Sequence, residues 1–197
     1  MTGRKMLSMY KLDAAIELAE TLIDAGESVV IVTNFVDSAD LLKDHFKDSC
    51  CEIRGGMSDQ SKQQAIDDFQ NNKKNVCVLN MQAGGVGITL TAAHTMIIID
   101  YAWVPSDMVQ VEDRICRAGQ TESCMIYYVY CMNSILDSLF IEMISSKSAN
   151  TDTVVDNVDN TFDLQSEKDT HFTFIDALKD KISSTKTTNR KKRTGGK

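Results

Sequence analysis

Two stretches of this 197-residue chain hold residue types that could act on a phosphorylated ligand. The first is Ala83-Gly84-Gly85-Val86-Gly87. Its glycines permit positive backbone torsions and close approach of a ligand, and loops of this kind turn backbone N–H groups toward phosphates. The same glycines would also serve a tight strand-to-helix turn with no ligand. They do not make the dinucleotide fingerprint, whose third glycine would fall at Leu90. The second stretch is Gln110–Gln120, QVEDRICRAGQ. On a helix, Arg114 and Arg117 share a face, with Gln110 one turn before Arg114 on the same side. Two guanidinium groups aimed at one point suit a polyanion, because each offers planar, bidentate donors. A solvated helix face with Glu112 and Asp113 as internal partners would carry the same spacing.

The elements that must position these residues alternate in period. Lys11–Asp24 reads as an amphipathic helix with Leu12, Ile16, Ala19 and Ile23 on one face, stopped by Gly26. Val29–Val32 is a continuous β-branched run, the mark of a strand buried on both faces. Asp37–Phe46 is helical, Cys51–Ile53 a short strand closed by Gly55-Gly56, and Ser58 an N-cap for a helix over Asp59–Phe69. Val76–Leu79 and Met96–Ile99 are strands. Pro105 suits the first turn of a helix running through Arg117 and stopping near Gly119. Met125–Val129 is a further strand and Ile135–Ile144 a further helix. This alternation predicts a doubly wound α/β domain over 1–148, a mostly parallel sheet with helices on both faces. Ligands of such sheets collect at the carboxyl ends of the strands. There the sequence places Thr33-Asn34-Phe35, Asn80–Leu90 and Tyr101–Gln120.

Beyond Ser148 the pattern decays. Residues 149–182 read as an acidic linker with a short helix over Phe172–Ile182, and 183–197 as a basic, disordered tail. Between 151 and 180 stand eight acids and two lysines, whereas the last eight residues hold five bases. The net charge of -7 therefore misleads about nucleic-acid binding. Residues 1–150 are nearly balanced, and the tail could supply a salt-sensitive share of affinity. No apolar run approaches the ~20 residues of a membrane span, so no membrane partner is expected. None of the six cysteines forms a C-x-x-C pair, and the three histidines are scattered. No metal site is expected on this chain. Free thiols in a reducing intracellular compartment, cytoplasm or nucleus, are.

Taken in order, AGGVGITLTAA, MIIIDYAWVPSD and QVEDRICRAGQ resemble motifs V and VI of the superfamily-two helicases, in detail those of the Swi/Snf-like double-stranded-DNA translocases. That branch reads A-G-G-x-G-x-N-L, W-N-P and Q-x-x-x-R-x-x-R-x-G-Q. SVVIVTNF resembles motif IV, RGGMSDQSKQQAIDDF the family's glycine turn and following helix, and YYVYCMNSILDSLF the closing strand and helix. The likeness covers about residues 5–148. Departures are Thr89 and Val104 in place of asparagines, Lys62 for a usual arginine, and Asn80 for a common serine or threonine.

The resemblance implies a RecA-like second lobe that works with a P-loop first lobe on an ATP cleft, with DNA across both. This chain has no G-x-x-x-x-G-K-[ST] and no Asp-Glu box, so ATP and Mg2+ would be held mainly by that first lobe, from another chain or absent from this fragment. By the same resemblance Arg117 would be the arginine finger and Arg114 its partner, with Gln110 supporting. Gly87, Thr89 and Gln120 would face the nucleotide, Gln120 also tying motif VI to motif V. Thr33, Gly56, Lys62, Asn80, Gly84 and Gly85 would follow the DNA backbone. Trp103 reads as buried behind the sheet or, alternatively, as a functional contact. A non-catalytic DNA- or protein-binding module is the alternative; restored ATPase on adding a first lobe separates the two.

Overall fold

A computed structural model describes residues 3–83, 87–102, 104–132 and 134–141. The expectations for Gly84, Gly85, Trp103, the 149–182 linker and the 183–197 tail lie outside the described residues. Residues 1–131 make one compact unit, and the second begins at Met132. Of the second, residues 135–141 are helical, and Ser134 caps them through the Asp137 N–H at 3.2 Å.

The first unit runs α1 (Gly3–Asp24), β1 (Val29–Thr33), α2 (Val36–Phe46), β2 (Cys50–Ile53), α3 (Asp59–Gln70), β3 (Val76–Asn80), β4 (Thr95–Ile98), α4 (Pro105–Glu112) and β5 (Met125–Tyr128). The five strands form one parallel sheet in the order β2-β3-β1-β4-β5. The β-branched run of β1 sits at its centre, all five residues buried. Val29 and Ile31, Val76 and Val78, and Ile97 and Ile99 join Leu12, Ala15 and Ala19 of α1 and Ala39 and Leu42 of α2 in one core. The alternate residues, Val30, Val32, Cys77, Leu79, Met96 and Ile98, point to the other face and are just as buried. The sheet is therefore covered on both sides, as parallel sheets require.

Local signals account for several boundaries. Ser58 caps α3 by accepting from the Ser61 N–H at 3.1 Å, and Pro105 opens α4. Most boundaries shift by a single residue from the sequence reading, and two differ by more. α1 begins at Gly3, not Lys11, because polar anchors hold its first half: Arg4 donates to the Tyr101 carbonyl, and Ser8 is buried on Asp100 at 2.9 Å. Apolar periodicity does not register such contacts. α4 ends at Glu112 and does not reach Arg117. Among the described residues no helix is long and apolar enough to cross a membrane.

Candidate functional site

The strand order reverses between β1 and β4, the switch point where doubly wound sheets open a crevice. Here polar side chains fill it. The Asp100 carboxylate, at the end of β4 and 4% exposed, accepts through Oδ2 from the Thr33 hydroxyl at 2.6 Å, the Asn34 N–H at 3.0 Å and the Ser8 hydroxyl at 2.9 Å. Ser8 also shares a hydrogen bond with Ser38 at 2.9 Å. Thr33 is fully buried, its hydroxyl on Asp100. Asn80, 6% exposed, is likewise turned inward, its Oδ1 accepting from the Gln82 N–H at 3.1 Å. Gly56 and Lys62 stand at the carboxyl end of β2. Gly56 has φ +81°, which its turn requires, and Lys62 is half-buried in the first half of α3.

The segment after α4 is arranged differently. Residues 113–119 form tight turns. The Arg114 N–H bonds back to Val111 and the Arg117 N–H to Ile115, both shorter steps than an α-helix takes. The Arg114 carbonyl accepts from the Leu90 N–H at 2.8 Å. Nothing in DRICRA forbids a helix; the tertiary demand of the 87–93 loop ends it. The arginines still meet. Gln110, Asp113, Arg114, Cys116, Arg117 and Ala118 line one open depression of about 460 Å³. Arg114 is held below its usual pKa by partial burial first and by the Arg117 charge second, with Asp113 opposing. It stays cationic, and the repulsion means that an anion placed between the two guanidinium groups would be stabilised.

Four contacts fasten this turn to the 87–93 loop. Leu90 N–H reaches Arg114, Arg117 Nη1 donates to the Thr89 hydroxyl at 3.2 Å, and Gln120 Nε2 donates to the Thr91 and Ala93 carbonyls at 3.3 and 2.7 Å. Gln120 Oε1 accepts from the Thr121 and Glu122 N–H groups at 3.0 and 3.1 Å. With its amide so engaged, Gln120 ties the two segments together. Gly87 is exposed beside Thr89 with φ +33°.

Three contributors carry no sequence signal. Gln70, ending α3, holds the loop from the other side, donating to the Thr91 hydroxyl at 3.2 Å and accepting from the Ala92 N–H at 2.8 Å. The Tyr128 hydroxyl of β5 donates to Glu112, the last residue of α4. Burial first and this bond second raise the Tyr128 pKa. Asp100 is the third. Only the side chains' directions reveal these partners, and those follow from the fold. Among the described residues no group of three or more His, Cys, Asp or Glu side chains could hold a metal ion.

Residues 10–119 match the helicase conserved C-terminal domain family. The chain belongs to that family. This helicase C-terminal lobe is 32% identical over 163 residues to an uncharacterized ATP-dependent helicase of Mycoplasma pneumoniae, covering 80% of this chain and 16% of that protein. It superposes on the C-terminal part of the Fun30 ATPase domain with a TM-score of 0.66 at 25% identity, over 88% of this chain and 54% of that one. The Sulfolobus solfataricus SWI2/SNF2 ATPase core solved with double-stranded DNA gives 0.58 at 25% identity, over 74% and 31%. The chain is thus a RecA-like second lobe of the Swi/Snf-like branch of superfamily two. It spans a small fraction of the helicase it matches.

Proposed function

We propose that this chain is the second motor lobe of an ATP-dependent double-stranded-DNA translocase and needs a P-loop first lobe for activity. The observation that carries the reading is the fastening of the Arg114/Arg117 turn to the 87–93 loop by Leu90, Thr89 and Gln120. It presents two guanidinium groups from a braced turn, which suits stabilising charge that develops during phosphoryl transfer. Arg117 acts as the arginine finger on the γ-phosphoryl group and Arg114 shares its load, with Gln110 on the same depression and Gly87 and Thr89 at the nucleotide's edge. The first lobe would supply the phosphate loop and hold the Mg2+, which would offset charge on the phosphates. Gly56, Lys62, Gly84 and Gly85 are the proposed DNA track, reading backbone and carrying little sequence preference. The Sulfolobus relative solved on duplex DNA supports that surface's use. The match to helicases and Swi/Snf-type ATPases points to an intracellular, nucleic-acid-bearing compartment.

The deciding experiment adds a cognate first lobe and measures hydrolysis with saturating duplex DNA. The chain alone should turn over almost no ATP, and the pair should be DNA-stimulated. Arg117→Ala should remove that stimulated rate by about 10³-fold or more while DNA binding stays largely intact, because a finger acts on transition-state charge. Wild-type turnover in Arg117→Ala would overturn the assignment. DNA binding with no hydrolysis in any reconstituted pair would favour a non-catalytic module.

A further inference from the structure

Residues 87–94 form neither helix nor strand, so their backbone groups depend on single long-range bonds and on side chains. Thr91–Ala93 lie between two glutamines. From one side Gln120 donates to the Thr91 and Ala93 carbonyls at 3.3 and 2.7 Å. From the other, Gln70 donates to the Thr91 hydroxyl at 3.2 Å, and its Oε1 accepts from the Ala92 N–H at 2.8 Å. Gln120 follows the turn that carries Arg114 and Arg117. Gln70 is the last residue of α3, whose first half follows the Gly56 turn and carries Lys62. Both ends of α3 are fixed in themselves. Ser58 caps its start, and the Asn71 and Asn72 N–H groups close its last turn on Asp67 and Phe69, Asn72 at φ +55°. Phe69 and Ala65 are buried beneath it. α3 is therefore a stiff rod of about 18 Å, and the small sliding movements open to a packed helix carry both its ends together.

We propose that Gln70 is a positioning residue that couples duplex DNA at the start of α3 to the arginine turn. This rests on the reading above, in which Gly56 and Lys62 meet the DNA backbone and Arg117 meets the nucleotide. A duplex phosphate drawn to Lys62 steadies α3 as a body. Gln70 passes that to Thr91 and Ala92, and the Thr91 carbonyl passes it to Gln120. Two residues earlier, the Thr89 hydroxyl accepts from Arg117 Nη1 at 3.2 Å, so the same loop holds the guanidinium itself. Duplex binding thereby orders the Arg117 side chain for the developing charge. A primary amide suits this position because it offers a donor and an acceptor at once. Gln70 itself touches neither DNA nor nucleotide.

The first test is hydrogen–deuterium exchange on the full chain, with and without a short duplex. The duplex should slow exchange at 54–62 and also at 87–93 and 114–120. In Gln70→Leu the slowing should stop at 54–62. Gln70→Glu should restore it, because a carboxylate accepts from both the Ala92 N–H and the Thr91 hydroxyl. The second test is turnover of the reconstituted pair. Gln70→Leu should lower the DNA-stimulated rate about 5- to 10-fold, what one or two neutral hydrogen bonds supply, with the DNA-free rate and duplex affinity as in wild type. Loop slowing that persists in Gln70→Leu, or is missing from the wild-type chain, would overturn the coupling. So would an equal fall in the two rates, which marks a merely structural support. No slowing at 54–62 would overturn the proposed DNA track, and the coupling with it; slowing there alone would overturn the coupling and leave the track standing. The exchange comparison on the wild-type chain needs neither a folded variant nor a first lobe.

Discussion

Two polar regions share the carboxyl end of the sheet and are built on opposite plans. At the ends of β1 and β4, one buried carboxylate oxygen collects the Ser8 and Thr33 hydroxyls and the Asn34 N–H. Its donors and its charge are consumed within the protein, so the switch-point crevice is a joint. Beyond α4, Arg114 and Arg117 set like charges side by side on an open depression, the Leu90 and Gln120 contacts hold the backbone beneath them, and the Thr89 hydroxyl accepts from the Arg117 guanidinium.

The largest effect that separates the regions is on rate. In a reconstituted pair, Arg117→Ala should lose about 10³-fold or more in DNA-stimulated turnover, and Arg114→Ala somewhat less. Arg117→Ala, at an exposed side chain, should leave chain stability within about 0.5 kcal/mol, the usual range for such substitutions. Asp100→Ala should do the reverse. It strands three donors in the interior, at about 1–3 kcal/mol for each group left unsatisfied, so a net loss of roughly 3 kcal/mol in denaturant titration is expected. Asp100→Asn, which keeps an acceptor oxygen, should lose less. An Asp100→Ala chain as stable as wild type would mean the crevice is not a load-carrying joint.

How much of this could be read in the sequence follows from the same contrast. The β-branched run of β1, the Ser58 cap and Pro105 announce themselves locally, and the structure has each in place. The glycine and arginine motifs named the two segments that come together. What the sequence does not carry is direction and distance. Thr33 and Asn80 are strand-terminal and buried, which residue type alone does not reveal. The helix through Arg117 was a propensity reading, overruled by one long-range bond from the Leu90 N–H to the Arg114 carbonyl. Asp100, Gln70 and Tyr128 have ordinary neighbours in sequence, and their partners are 67, 21 and 16 residues away.

Gln120 joins the two plans, and Gln120→Leu tests whether aiming depends on it. The substitution keeps volume but leaves the Thr91 and Ala93 carbonyls and the Thr121 and Glu122 N–H groups without their side-chain partner. A loss of about 2 kcal/mol is expected at this part-buried site, together with a fall in reconstituted turnover larger than any change in DNA affinity. A stable variant with unchanged turnover would show that the backbone bond from Leu90 suffices to brace the turn.

Tyr128→Phe has the smallest expected effect and a distinctive pH signature. The hydroxyl moors the end of α4 to the sheet edge through Glu112, and its removal should cost about 1 kcal/mol at pH 8. Burial and the bond to Glu112 raise the Tyr128 pKa above that of an unfolded tyrosine, about 10. Below that value both states hold the proton and the bond contributes fully. Above it the unfolded chain releases its proton first, so the folded state binds more protons and stability falls as pH rises. The raised Cys50 thiol, at about 12, pulls the same way, but it is common to both proteins and cancels in their difference. Urea midpoints from pH 8 to 11 should therefore show a constant gap between wild type and Tyr128→Phe up to about pH 9.5, narrowing beyond. Parallel curves through pH 11 would mean that the tyrosine proton is not held by the fold, and that α4 ends where it does without this mooring.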